Sequence, residues 1–318
     1  LTPLPGSRDH YDMVRSGTKM DSDLNKYDSF HVVMDHPRMS REELFQAYND
    51  AWKSFYDPEN GMWREPRVLV DTPGQCDGNP VLFKDPRGVV WLFYVTMFGP
   101  GWRYCKINFI RSYDGGLSWR DRGVLRDELG WMVRNHPIVT SDGAIILPVY
   151  DEVLWNSMVM ISEDWGENWS VSSRVSVPGG CIQPAVVELS KGVLLMYLRT
   201  RSGRIWRSLS NDGGMTWDPP EPVDLPNPNS NVELIKLKDG RLLLVYNDSP
   251  VGRTPLSVAL SEPGSDNWVL KRNLECGEGE YSYPSAIESS SGMIHVVYTN
   301  RRENIKHVIF DVSWLTSY

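Results

Sequence analysis

The sequence predicts an all-β fold, a β-propeller with five evident blades, and three observations predict it. A turn closed by tryptophan recurs as Ser112-Tyr-Asp114-Gly115-Gly116-Leu-Ser-Trp119, Ser162-Glu-Asp164-Trp-Gly166-Glu-Asn-Trp169, Ser210-Asn-Asp212-Gly213-Gly214-Met-Thr-Trp217 and, without the aspartate, Ser261-Glu-Pro263-Gly264-Ser-Asp-Asn-Trp268. Aligned on their third positions, the four copies repeat every ~50 residues, the signature of propeller blades or a solenoid. In a second register, five apolar runs each meet a glycine turn and continue into another apolar run, at Gly88, Gly143, Gly192, Gly240 and Gly292. Such paired runs read as hairpins. Third, the runs are apolar almost throughout, as in Val193-Leu-Leu-Met-Tyr197 and Leu242-Leu-Leu-Val-Tyr246. Both faces of these strands are therefore covered, as in small sheets stacked around an axis.

The elements follow in chain order. In Ser40-Arg-Glu-Glu43-Leu44 the serine is a helix N-cap and Glu43 completes a capping box. Leu44, Ala47, Tyr48, Ala51, Trp52 and Phe55 fall at helical spacing, so an amphipathic helix is expected over 40–55. The repeats begin beyond it, which suggests an N-terminal helical or irregular segment over 1–62 and a propeller over 63–318. In each tryptophan turn the aspartate is placed to accept backbone N–H groups, the glycines supply positive φ, and the tryptophan is expected to pack between neighbouring blades. The last unit, ending near Trp314, has no such turn. Ring closure then depends on N-terminal strands, and an open blade edge would favour oligomers.

Composition narrows the partners. A net charge of −8 over 318 residues leaves no basic stripe for nucleic acid or a membrane surface. Cys76, Cys105, Cys181 and Cys276 are far apart without Cys-x-x-Cys spacing and read as isolated buried thiols. No metal or cofactor is indicated. No apolar run approaches the ~20 residues of a membrane helix, and no signal peptide is visible, which leans toward a cytoplasmic location.

The tryptophan turns resemble the Asp boxes of sialidases (neuraminidases) and other bacterial neuraminidase repeat proteins, and the likeness runs from about Trp63 to the end. A separate likeness, carried by Thr2-Pro-Leu-Pro-Gly, Asp23-Leu-Asn-Lys-Tyr-Asp28 and His36-Pro37-Arg38-Met39-Ser40, is to the trailing part of cobalamin-binding radical SAM proteins. The Cys-x-x-x-Cys-x-x-Cys cluster motif of that family is absent from the chain.

The sialidase resemblance implies a six-bladed propeller, three arginines on a sugar carboxylate, a tyrosine nucleophile partnered by glutamate, and an aspartate acid/base. Guanidinium forks suit a carboxylate, and a tyrosine needs activation to be nucleophilic. Carried over by position, Arg204 takes the second arginine's place and Arg253 the third's. Tyr283 takes the nucleophile's place, with Tyr281 a near competitor, and Gln183 stands where the glutamate partner would be. The first arginine and the aspartate have no match. Asn79, Asn135, His136, Arg199, Asn231 and Glu233 fall at the same strand ends. Among them His136 is the best alternative acid/base, since its charge changes near neutral pH; Arg301 and Arg302 are expected to be solvated. The expected activity is a sialidase-like (exo-α-sialidase-type) hydrolase acting on terminal acidic sugars. A catalytically inactive glycan-binding propeller and a uronate-polysaccharide lyase remain as alternatives.

Overall fold

The computed structural model describes Arg15, Phe55–Asp57, Met62–Arg64 and residues 67–317. The chain divides into two compact units, 1–77 and 78–318. In the first, Phe55–Asp57 pairs antiparallel with Met62–Arg64, and the Asp77 carboxylate accepts the Thr72 N–H and hydroxyl at 2.8 and 2.9 Å. The helix expected over 40–55 lies outside the described residues except for Phe55, which opens a strand.

Five antiparallel sheets follow in chain order. Blade 1 comprises Cys76–Lys84, Val90–Met97, Cys105–Ser112 and Arg120–Arg126. In blade 2 the inner position is shared by two short strands, Trp131–Val133 and Ile138–Val139, both paired with Ile145–Asp151; Asn156–Ser162 and Ser170–Val171 complete it. Blade 3 runs Cys181–Ser190, Val193–Thr200, Arg204–Ser210 and Glu221–Pro226, and blade 4 runs Glu233–Lys236, Leu242–Asn247, Leu256–Ser261 and Trp268–Glu275. Blade 5 has three strands, Tyr281–Glu288, Ile294–Asn300 and Asn304–Phe310, followed by the short helix Val312–Thr316, which Asp311 caps by accepting the Trp314 N–H.

The continuous apolar runs are explained by burial on both faces. In blade 3, Leu194, Met196 and Leu198 join Ile146, Val159 and Ile161 of blade 2 in one cluster, while Leu195 and Tyr197 join Leu242, Leu244 and Tyr246 of blade 4 in another. Further clusters fill the joints between blades 1 and 2 and between blades 4 and 5. Side chains alternate between faces along a strand, so a strand between two blades must be apolar at every position. The last sheet differs: Ile287, Val297, Ile305 and Ile309 on its outward face are exposed.

The tryptophan turns form as their chemistry requires. Asp212 Oδ1 accepts the Ser210 hydroxyl at 2.8 Å and the Thr216 N–H at 2.9 Å, and the Ser210 oxygen accepts the Gly214 N–H at 2.9 Å. The turns at Asp114 and Asp164 repeat this pattern. These bonds hold all three carboxyls below the ordinary value, Asp164 and Asp212 at about 2. Two of the tryptophans bridge blades as expected: Trp169 meets Phe93 of blade 1 edge-on, and Trp268 Nε1 donates to Tyr197 Oη of blade 3 at 3.0 Å. In the turn lacking aspartate, the Ser261 oxygen instead accepts the Leu242 N–H at 2.8 Å. One cysteine expectation is corrected: Cys105 and Cys181 are buried, but Cys76 and Cys276 are exposed.

Candidate active site

The site is built by a bulge repeated at the start of the inner strands. The blade 3 ladder shifts register between Ile182 and Ala185, and the blade 5 ladder between Ser282 and Ser285. In each gap stands a residue followed by proline: Gln183-Pro184 at φ 54° and Tyr283-Pro284 at φ 55°. Asn79-Pro80 in blade 1 has φ 48°, and Arg134-Asn135-His136-Pro137 interrupts the inner edge of blade 2. Proline offers no ladder donor, and a bulge re-aims the side chain that precedes it. A left-handed φ in tyrosine and glutamine is rare enough to point to function.

Around Tyr283 three arginines gather. Arg253 lies 5.2 Å and Arg134 5.3 Å from the centre of its ring, and Arg134 Nη2 donates to the Tyr283 carbonyl at 2.9 Å. Arg199 is hydrogen-bonded to the Tyr283 side chain. It also donates to Gln183 Oε1 at 2.8 Å and to Asn229 Oδ1 at 2.9 Å. Burial alone would push the Tyr283 phenol up, but Arg253 and Arg199 override it and hold the phenol below its ordinary value. The residue as a whole is 36 % exposed. Glu280 anchors Arg253 at 2.7 Å and Arg302 at 2.9 Å.

His136 Nδ1 lies 2.8 Å from Glu233 Oε1. Burial would lower the imidazole's pKa, but the Glu233 carboxylate outweighs it and the net shift is upward. Glu233 is buried, and its Oε1 also accepts the Ala286 N–H at 3.1 Å. Gln183 bonds on to Tyr150, whose phenol burial pushes far above the ordinary value. Tyr150 Oη in turn accepts from Asn79 Nδ2 at 3.4 Å.

The structure thus brings together Tyr283, Gln183, Arg199 and Arg253, and sets Asn79 beside Tyr150. It separates others. Arg204 begins the third strand of its blade opposite Pro226 of the outer strand, and it pairs with the fully exposed Asp224 at 2.8 Å. Arg199 stands instead opposite Ile182 of the inner strand. Asn135 and Asn231 serve the frame: Asn135 Nδ2 donates to the Gln183, Pro184 and Val232 carbonyls at 3.0–3.2 Å, and Asn231 Nδ2 to the Pro284 carbonyl at 3.4 Å. Tyr281 is buried, its hydroxyl 3.4 Å from Arg301 Nε. Arg301 and Arg302 are exposed, as expected, and Arg302 also pairs with Glu280. Arg134 and Tyr150 were missed; the recurring residue-proline pairs were the signal that marks their surroundings.

Comparison with known proteins agrees with this architecture. Residues 50–296 match the BNR repeat-like domain, so the chain belongs to that family. The match begins inside the N-terminal segment, and the radical SAM likeness finds no support in the comparisons. A curated relative, the anhydrosialidase of Macrobdella decora, is 30 % identical over 168 residues, which are 49 % of this chain and 21 % of that protein. Among solved structures, the Hadza microbial sialidase Hz136 superposes with a TM-score of 0.71 at 19 % identity, over 81 % of this chain and 59 % of that one. The Ruminococcus gnavus intramolecular trans-sialidase, solved with oseltamivir carboxylate, gives 0.67 at 17 % identity, over 79 % and 81 %. The leech intramolecular trans-sialidase, solved with 2,7-anhydro-Neu5Ac, gives 0.66 at 15 % identity, over 83 % and 60 %. The fold is sialidase-like. The chain spans about a fifth of the curated relative it matches.

Proposed function

We propose that the chain is a sialidase-type glycosidase that removes a terminal acidic sugar. The observation that carries this reading is the Tyr283 phenol, held below its ordinary pKa among three guanidiniums on a partly exposed residue. Arg199, Arg253 and Arg134 offer fork-shaped donors for a sugar carboxylate. Tyr283 then attacks the anomeric carbon. A neutral side chain approaches an anionic sugar without charge repulsion, and the neighbouring cations stabilise the phenolate as the proton leaves. Gln183 cannot serve as a base, so electrostatic lowering takes over the work of a carboxylate partner. His136, paired with Glu233 at 2.8 Å, has its pKa raised, which favours its charged form. The names of the related sialidases and trans-sialidases support an acidic sugar as ligand.

The test is release of acidic sugar from sialyllactose by the purified chain beside Tyr283→Phe. Release that disappears in the variant upholds the reading, and product mass separates the free sugar from an internal anhydride. Saturable binding without release by either protein would leave a glycan-binding propeller.

One set of residues favours a second reading. A phenol of lowered pKa, a histidine with raised pKa and arginines for a carboxylate are also what β-elimination from a uronate polysaccharide requires: a base, an acid and neutralisation of the carboxylate. An unsaturated product absorbing in the ultraviolet would identify it.

A further inference from the structure

A tyrosine nucleophile does not by itself expel a sugar alkoxide; the departing oxygen needs a proton. The turn joining Ile145–Asp151 to Asn156–Ser162 in blade 2 carries two adjacent carboxylates with different employment. Asp151 is buried and fully used, accepting the Val153 and Leu154 N–H groups at 2.9 and 3.0 Å and Arg174 Nη1 at 2.9 Å. Glu152 is pinned only through its backbone, its N–H donating to the Gly130 carbonyl at 2.8 Å. Its half-buried side chain has no hydrogen-bond or ion-pair partner among the described residues.

Two links connect this carboxylate to the site. It lies two residues after Tyr150, on the same strand end, and Tyr150 bonds to Gln183. Arg199 is within electrostatic reach of both Glu152 and Tyr283. The charged groups facing Glu152 are Arg199, Arg201, Arg103 and Asp151; Arg201 is stacked 3.2 Å from the centre of the Trp155 ring at the other end of the same turn. Locking the backbone while leaving the carboxyl unbonded suits a group that must exchange its proton with a ligand.

We propose that Glu152 is the proton donor to the departing glycosidic oxygen. The assignment rests on the glycosidase reading. In the first step Tyr283 Oη forms a bond to the anomeric carbon as its proton passes to solvent. The bond from that carbon to the leaving oxygen breaks with its electron pair, and Glu152 supplies the proton that completes the leaving alcohol. In the second step the Glu152 carboxylate takes a proton from a water molecule whose oxygen attacks the anomeric carbon, and the bond to Tyr283 breaks with its electron pair to leave a phenolate that solvent reprotonates. Burial keeps the Glu152 carboxyl above its ordinary value despite the nearby arginines, which favours the protonated form at the start of the cycle.

The experiment compares two substrates of one acidic sugar, a sialyllactose with a poor leaving group and an aryl sialoside whose phenol leaves without help. Glu152→Gln should lose roughly 10²- to 10⁴-fold in kcat/KM on the sialyllactose, the usual range for a lost general acid. On the aryl sialoside its first step should stay within about tenfold of wild type, with the alkaline limb of the pH profile removed. Glu152→Asp, which keeps the carboxyl, should recover part of the sialyllactose activity, and matching melting curves exclude misfolding as the cause. Equal losses on both substrates, or none on either, would overturn the assignment. A wild-type chain inert on both would remove the reading beneath it, and the assignment with it.

Discussion

Arg199 Nη1 donates to Gln183 Oε1 at 2.8 Å, a cation bonded to a neutral amide. A carboxylate in place of Gln183 would cancel much of that charge; the amide leaves it free to act on Tyr283. Gln183→Glu is therefore expected to raise the Tyr283 phenol and shift the activity profile toward alkali. Ultraviolet titration of tyrosinate, taken as the difference from Tyr283→Phe, measures this. An unchanged or lowered phenol would count against the electrostatic account.

The two arginines of blade 3 should behave oppositely. Arg199→Ala removes a buried donor from the proposed carboxylate site and should weaken binding of an acidic sugar by about 2–4 kcal/mol, ~30- to ~1000-fold. Arg204→Ala removes only an exposed pair with the fully exposed Asp224, of the kind that adds little to stability, and should leave binding within ~3-fold. Titration calorimetry with free sialic acid separates the two.

The pairing of His136 with Glu233 has a defined pH sign. Its folded pKa is raised, so its contribution to stability is complete below the ordinary histidine value and disappears as pH rises through the raised one. Glu233→Gln should lower the imidazole's titration, followed by NMR, and flatten stability over that interval.

Asp212 has the opposite sign. Its folded pKa is depressed to about 2 from 3.8, so its contribution is present above about 4 and lost as pH falls toward about 2. Asp212→Ala should cost roughly 1 kcal/mol near neutrality, by analogy with a lost cap, or about 2–4 °C in Tm for a domain of this size. The difference from wild type should close in acid. Thermal melts across that range check it.

The turns were legible in the sequence because their chemistry is local: Ser210, Asp212, Gly214 and Thr216 bond within seven residues. The blades were legible from apolar runs buried on both faces. Tyr283 and Gln183 were found through family likeness, although their proline neighbours carry a physical signal of their own. Arg204 was placed by its spacing from the aspartate turn, which counts residues and does not tell which strand of the blade a residue faces. Arg199 sits opposite the inner strand and Arg204 opposite the outer one. Arg134 was overlooked because its contact lies 149 residues away, at the Tyr283 carbonyl.

The central claim is that Tyr283 forms a covalent bond to an acidic sugar. A fluorinated sialosyl inactivator that slows the second step, followed by peptide mass mapping, tests it directly. One sugar adduct is expected on the peptide carrying Tyr283, absent from Tyr283→Phe. An adduct on another residue, or turnover with inversion at the anomeric carbon and no adduct, would contradict it.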